Sequence, residues 1–72
     1  MIKQGTIVEW KWGNGTATGT VDETHHEQIT RTINGNEVTR KGSKDNPAYV
    51  IKQEDGTTVL KLQSEVSRAD TA

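Results

Sequence analysis

The chain has 72 residues with nine basic against ten acidic side chains, a formal charge of −1. It therefore holds one small core and has no global field to draw in nucleic acid or an anionic membrane, and the absence of cysteine excludes disulfide staples, thiol catalysis and thiolate metal sites. Ile, Val and Leu together number thirteen, with no Phe, below the roughly one-fifth level that warns of disorder; balanced charge and alternating apolar runs point instead to a folded domain of modest stability.

Met1 to Gln4 is a loose lead-in in which only Ile2 is expected to pack. It carries no apolar h-region, and no window approaches membrane-spanning length, so the expectation is an untargeted cytoplasmic domain with no membrane role, one unit over residues 1–72. From Gly5 to Val21 the chain organises the fold. Val8, Trp10 and Trp12 alternate with Glu9 and Lys11, Gly13-Asn14-Gly15 supplies turn residues, and a second alternating run follows. This is a β-hairpin. In the second run Ala17, Gly19 and Val21 share a face narrow enough for another strand to approach closely.

Asp22 to Gln28 carries no apolar residue, which predicts a loop or exposed edge. Ile29 to Ile33 resumes β character, and Asn34-Gly35 predicts a type I′ turn because both central residues must take positive φ. Glu37 to Arg40 is the returning strand, and Arg40 to Pro47 is a connecting loop with Pro47 holding Asn46 extended. Ala48 to Gln53 and Thr58 to Leu62 form a last hairpin. A two-residue Asp55-Gly56 turn would set Tyr49 opposite Leu62 and Ile51 opposite Leu60, all four on one face. Leu62 and Val66 are spaced for one helical turn, and residues 67–72 are expected to fray. About five short antiparallel strands with three tight turns and a C-terminal helical turn specify an all-β fold, a small bent barrel of the SH3 or Tudor type. An OB-type barrel is the alternative; it usually has longer strands and a mid-chain helix, for which no amphipathic stretch exists.

Gly5-Thr6-Ile7-Val8-Glu9-Trp10, the run Gly15 to Val21, the segment Ser43 to Val50 and the closing Gly56 to Val66 segment together resemble the hypervirulence-associated Tudor-like domain family, found in small bacterial proteins and some fungal ones. The resemblance implies a Tudor-like small β-barrel and implies little chemistry. The tail Lys61 to Val66 departs from it in being less basic than a family member's.

The candidate binding surface is Trp10, Trp12, Tyr49, Arg31, Arg40, Lys41 and Lys44. Tudor-like barrels that read methylated lysine or arginine use an open cage of several rings, against whose faces the cation sits. Three aromatic residues in the whole chain leave none to spare, so the reading is core packing with one Trp partly exposed at a barrel mouth. The four cations surround the second hairpin and its exit loop, where they could contact phosphates. Glu23, His25 and Glu27 are metal-ligand types that an extended segment would project to one face, but a flexible polar run lacks the rigid frame a site needs; no metal or cofactor is expected. No nucleophile with a base and orienter is evident, which argues against an enzyme. The leading reading is a non-catalytic interaction module that presents its barrel rim and the loops Asp22 to Gln28 and Arg40 to Pro47 to a protein partner. Weak nucleic-acid binding through Arg31, Arg40, Lys41 and Lys44 is the alternative, and unpaired strand edges could support weak homo-oligomerisation.

Overall fold

A computed structural model describes residues 2–69. Strands β1 (Ile7–Trp12) and β2 (Gly15–His25) form the first hairpin; Trp12 pairs with Gly15 across Gly13-Asn14, and Gly13 takes φ 56°. Strands β3 (Gln28–Ile33) and β4 (Asn36–Lys41) form the second. Its turn residues Asn34 and Gly35 have φ 52° and 79°, the paired positive values that a type I′ turn demands. Strands β5 (Ala48–Lys52) and β6 (Thr58–Leu62) form the third, a 3₁₀ turn spans Gln63–Glu65, and β7 (Ser67–Arg68) follows.

The five-stranded sheet runs β6-β5-β2-β1-β7, antiparallel throughout, and β3-β4 is a separate two-stranded sheet. This is a small all-β fold of the Tudor and SH3 type. No ladder joins the β3–β4 hairpin to the larger sheet among the described residues, so the barrel is open along that seam. Strand β2 serves two neighbours: Ile7 to Trp12 pair along its first part, and β5 pairs from Thr20 onward, with a bulge at Asp22 that bends the strand. Gly19 lies at the crossing. A Cβ there would come within 2.5 Å of the Ile51 Cγ2 and 3.0 Å of the Lys52 carbonyl oxygen, the close approach that the small residues of this run predict.

Both faces of β5 are buried. Tyr49 and Ile51 pack with Val8, Trp10 and Val21 on one side, while Ala48 and Val50 pack with Ile29 and Leu60 on the other, where Ile33, Val38 and Leu62 close over them. Here the expected register is corrected by one residue: Tyr49 faces Lys61, Ile51 faces Val59, and Leu60 and Leu62 lie opposite Val50 and Ala48. The reason is local. The connection is the five residues Gln53 to Thr57, closed by the Gln53 N–H on the Thr57 carbonyl at 2.8 Å. Gly56 alone takes positive φ, 89°, and the Asp55 carboxylate accepts from the Thr57 N–H at 2.9 Å, a longer loop than two-residue hairpin geometry allows.

Three further expectations change. Asp22 to Gln28 is not a loop: β2 continues to His25 and β3 begins at Gln28, leaving only His26 and Glu27 at the corner, because pairing with β5 supplies the hydrogen bonds that the polar composition does not forbid. The lead-in is tied down, since Gly5 N–H donates to the Val21 carbonyl at 2.8 Å, Val21 N–H to the Thr6 carbonyl at 2.9 Å, and Lys3 N–H to the Thr6 hydroxyl at 3.1 Å. Ser67 and Arg68 do not fray; they pair with Glu9 and Val8, while residues 70–72 lie outside the described residues.

Candidate functional site

Val8, Trp10 and Trp12 share one face of β1 by alternation, yet their exposures are 0%, 6% and 70%. Register explains the gradient. Strand β5 covers β2 only from Thr20 onward, so the hairpin tip opposite Trp12 overhangs the core. The exposed indole borders an open end of the barrel, a groove of about 480 Å³ floored by Trp10, Ala17 and Val59 and rimmed by Asn34, Gln53, Asp55 and Thr57. The Thr57 N–H holds the Asp55 carboxyl below the usual carboxylate range, so the rim carries a negative charge at neutral pH. The chemistry of this end is one aromatic face, one carboxylate and a few amide and hydroxyl groups, suited to a side chain with an apolar stem and a cationic or polar head.

The other rings take structural places. Trp10 and Tyr49 are core residues, so the three rings do not assemble into a cage. Asn34, Gln53 and Asp55 escape sequence reading as site residues. A signal for them exists: alternating strand direction sends the turns of successive hairpins to one end, and Asn34 and Asp55 line the same groove as Trp12.

The four cations do not form one patch. Arg31 Nη2 donates to Glu23 Oε1 at 2.5 Å, and Arg40 Nη2 lies 3.4 Å from Glu65 Oε2. Arg31 and Arg40 share a face of the second hairpin, being on pairs with Val38 and Ile29, whereas Lys41 pairs with Gln28 on the opposite, exposed face. Lys44 sits on the β4–β5 loop and lines a different groove.

Glu23 also accepts from His25 Nε2 at 2.8 Å, and no group of three metal-ligand side chains assembles among the described residues, Glu27 included. The His25 hydrogen bond is the largest influence holding the Glu23 carboxyl below its ordinary value, desolvation opposes it, and the Arg31 charge adds to the lowering. A carboxyl with a depressed folded-state pKa stabilises the fold above its unfolded value, and that stability is lost as pH falls through the folded value. Glu23→Gln should therefore lower the urea midpoint at neutral pH by an amount worth less than about 1 kcal/mol, given partial exposure, and converge on the wild type in acid. Parallel midpoints at both ends of the pH range would show that the clamp contributes nothing.

No curated protein and no solved structure matches the chain, and no helix among the described residues is long and apolar enough to cross a membrane. The family model for the Tudor domain of hypervirulence-associated proteins matches residues 5–66. Tudor domains are small modules that generally mediate protein or nucleic-acid interactions and are generally non-catalytic. The match begins at the glycine that opens the first hairpin and ends just after the 3₁₀ turn, taking in the three hairpins that build both core clusters, and on it the chain belongs to the hypervirulence-associated Tudor domain family.

Proposed function

We infer that this chain is a non-catalytic module that binds a protein partner through the barrel end around Trp12. The observation that carries the reading is the indole itself: a Trp 70% exposed beside a concave groove in a chain with two Trp residues. A large ring left in water gains more from a partner than any other side chain here, and such rings anchor interfaces. The ring face and the Asp55 carboxylate favour a lysine or arginine side chain from that partner. A cysteine-free composition suits work in the cytoplasm. The nucleic-acid alternative loses support because Arg31 and Arg40 are engaged by Glu23 and Glu65.

The test compares immobilised wild type with Trp12→Ala. Proteins retained by the wild type should be lost with the variant, and purified binders should quench or shift the Trp12 indole signal and lose about tenfold in affinity, the scale of an anchor residue. Retention that is indifferent to Trp12 would overturn the reading.

A further inference from the structure

At the end of the barrel opposite Trp12, the tied-down lead-in, the β2–β3 corner, the β4–β5 loop and the 3₁₀ turn enclose a groove of about 390 Å³, within the size of small-molecule sites. Lys3, His26 and Lys44 line it, together with the hydroxyl-bearing Thr24 and Tyr49 and the amide of Gln63, and no carboxylate of the described residues does. Lys3 and Lys44 take part in no ion pair among the described residues, in contrast to Arg31, Arg40 and Lys52.

The frame that holds these groups is hydrogen-bonded. The Lys3–Thr6 turn is closed by the Thr6 N–H on the Lys3 carbonyl at 3.0 Å. The loop bearing Lys44 is closed by the Ser43 N–H on the Asn46 carbonyl at 3.0 Å and by the Asn46 N–H on the Ser43 hydroxyl at 3.1 Å. The Asn46 side chain then accepts from the Ser64 N–H at 2.9 Å, and the Pro47 carbonyl from the Gln63 N–H at 2.9 Å.

Tyr49 points independently to a ligand. The residue is 2% exposed, its hydroxyl has no hydrogen-bond partner among the described residues, and no partnerless side-chain polar atom of those residues is sealed from the surface. The hydroxyl therefore opens on the groove that Tyr49 lines. Burial pushes its pKa up, so it remains an O–H donor at physiological pH. A nearly buried phenol with an unused donor, sharing a groove with two unpaired ammonium groups and an imidazole, is arranged for an acceptor with several oxygens and more than one negative charge.

We propose that this groove is a binding site for a phosphate monoester, with Lys3 and Lys44 supplying the counter-charge and the Tyr49 and Thr24 hydroxyls donating to the phosphate oxygens. A phosphate monoester carries about −1.5 to −2 charges and three acceptor oxygens near neutral pH, which matches this donor set better than a carboxylate does. The site is separate from the Trp12 end.

The test is an amide NMR titration of the full chain with inorganic phosphate and with glycerol phosphate, set against acetate, chloride and a short single-stranded oligonucleotide without terminal phosphate at matched ionic strength. Saturable shifts at Lys3, Thr24, Lys44 and Tyr49 with both phosphates, and weak, unsaturated ones with acetate and chloride, are expected. Lys3→Ala with Lys44→Ala should weaken binding about tenfold or more, Tyr49→Phe should weaken it several-fold while keeping the ring in the core, and Trp12→Ala should leave it unchanged. Equal shifts with chloride, shifts that survive the double lysine variant, or tighter binding of the oligonucleotide than of phosphate would each overturn the proposal.

Discussion

Trp10→Ala should leave the chain largely unfolded, with a collapsed amide spectrum, while Trp12→Ala should melt within about 4 °C of the wild type. The two residues are chemically identical and two positions apart on one strand face. Trp10 is 6% exposed and Trp12 70%, and that difference sets the outcome. Removing a buried indole costs about 3–5 kcal/mol through lost transfer energy and the cavity left behind. A single core in a domain this small rarely supplies more than about 3–5 kcal/mol in total, so the loss matches the whole. Val8, Val21, Tyr49 and Ile51 are buried in one cluster with Trp10, and no Phe exists to take its place. Removing an exposed ring should change stability by no more than about 0.5 kcal/mol. Trp10→Phe should remain folded with a lowered urea midpoint, since it keeps an apolar ring in the cluster. A Trp10→Ala chain that keeps its amide dispersion and midpoint would show that the core does not depend on this ring.

Gly42→Ala should cost about 1–3 kcal/mol, the range for forcing extra atoms into a packed site, and should lower the urea midpoint more than Gly19→Ala does. Gly42 follows β4, where the chain passes between the β2–β3 corner and the start of β5. Its N–H donates to the Glu27 carbonyl at 3.2 Å. A Cβ on it would meet the His25 carbonyl oxygen at 2.5 Å, the Ala48 nitrogen at 2.8 Å and the Glu27 carbonyl oxygen at 3.0 Å, all backbone. These three main-chain atoms, on two segments, cannot yield without breaking pairing. At Gly19 the nearest atom is instead a methyl of Ile51 at 2.5 Å, which a rotamer change can partly withdraw at some cost in packing. A Cβ on Gly15 would meet nothing within 4 Å, and Gly15 does not take positive φ, so Gly15→Ala serves as the control and should be neutral or slightly stabilising. If all three alanine variants unfolded at the same urea concentration, close approach at Gly42 would not be what seats the second hairpin.

Both predictions separate what a residue's neighbours in sequence can tell from what its neighbours in space decide. Alternation in Ile7 to Trp12 and in Gly15 to Val21, and the Asn34-Gly35 turn, were legible because strand period and positive φ depend on a few adjacent residues. The all-β fold and its hairpins followed from those local signals, and the family resemblance rested on the same segments.

The polar run after Val21 misled for an instructive reason. Nothing in Asp22 to His25 favours a strand by apolar content; the hydrogen bonds of β5 across the bulge make it one. The last hairpin turned on one residue of register, decided by the Asp55 carboxylate on the Thr57 N–H and by positive φ at Gly56 alone. That slip moves Leu60 and Leu62 from the Tyr49–Ile51 face of β5 to the Ala48–Val50 face, where they complete the second core cluster.

The candidate site was legible in part. That one Trp would stand exposed at a barrel mouth followed from the shortage of rings, but which one depended on where β5 begins to pair along β2. The basic residues read as one patch only in sequence; in space Arg31 and Arg40 are matched to Glu23 and Glu65, and Lys44 joins Lys3 and His26 from distant parts of the chain. By itself, then, the sequence determined where the apolar-alternating strands lie, two of the three hairpin turns and the fold class, because these are short-range steric and periodic properties; the polar end of β2 and strand β7 came only from pairing in space. Tertiary structure alone decided which indole is covered, which cations are paired and which groups share a groove, because burial and Coulomb interaction depend on distance in space, which the spacing of residues along the chain does not set.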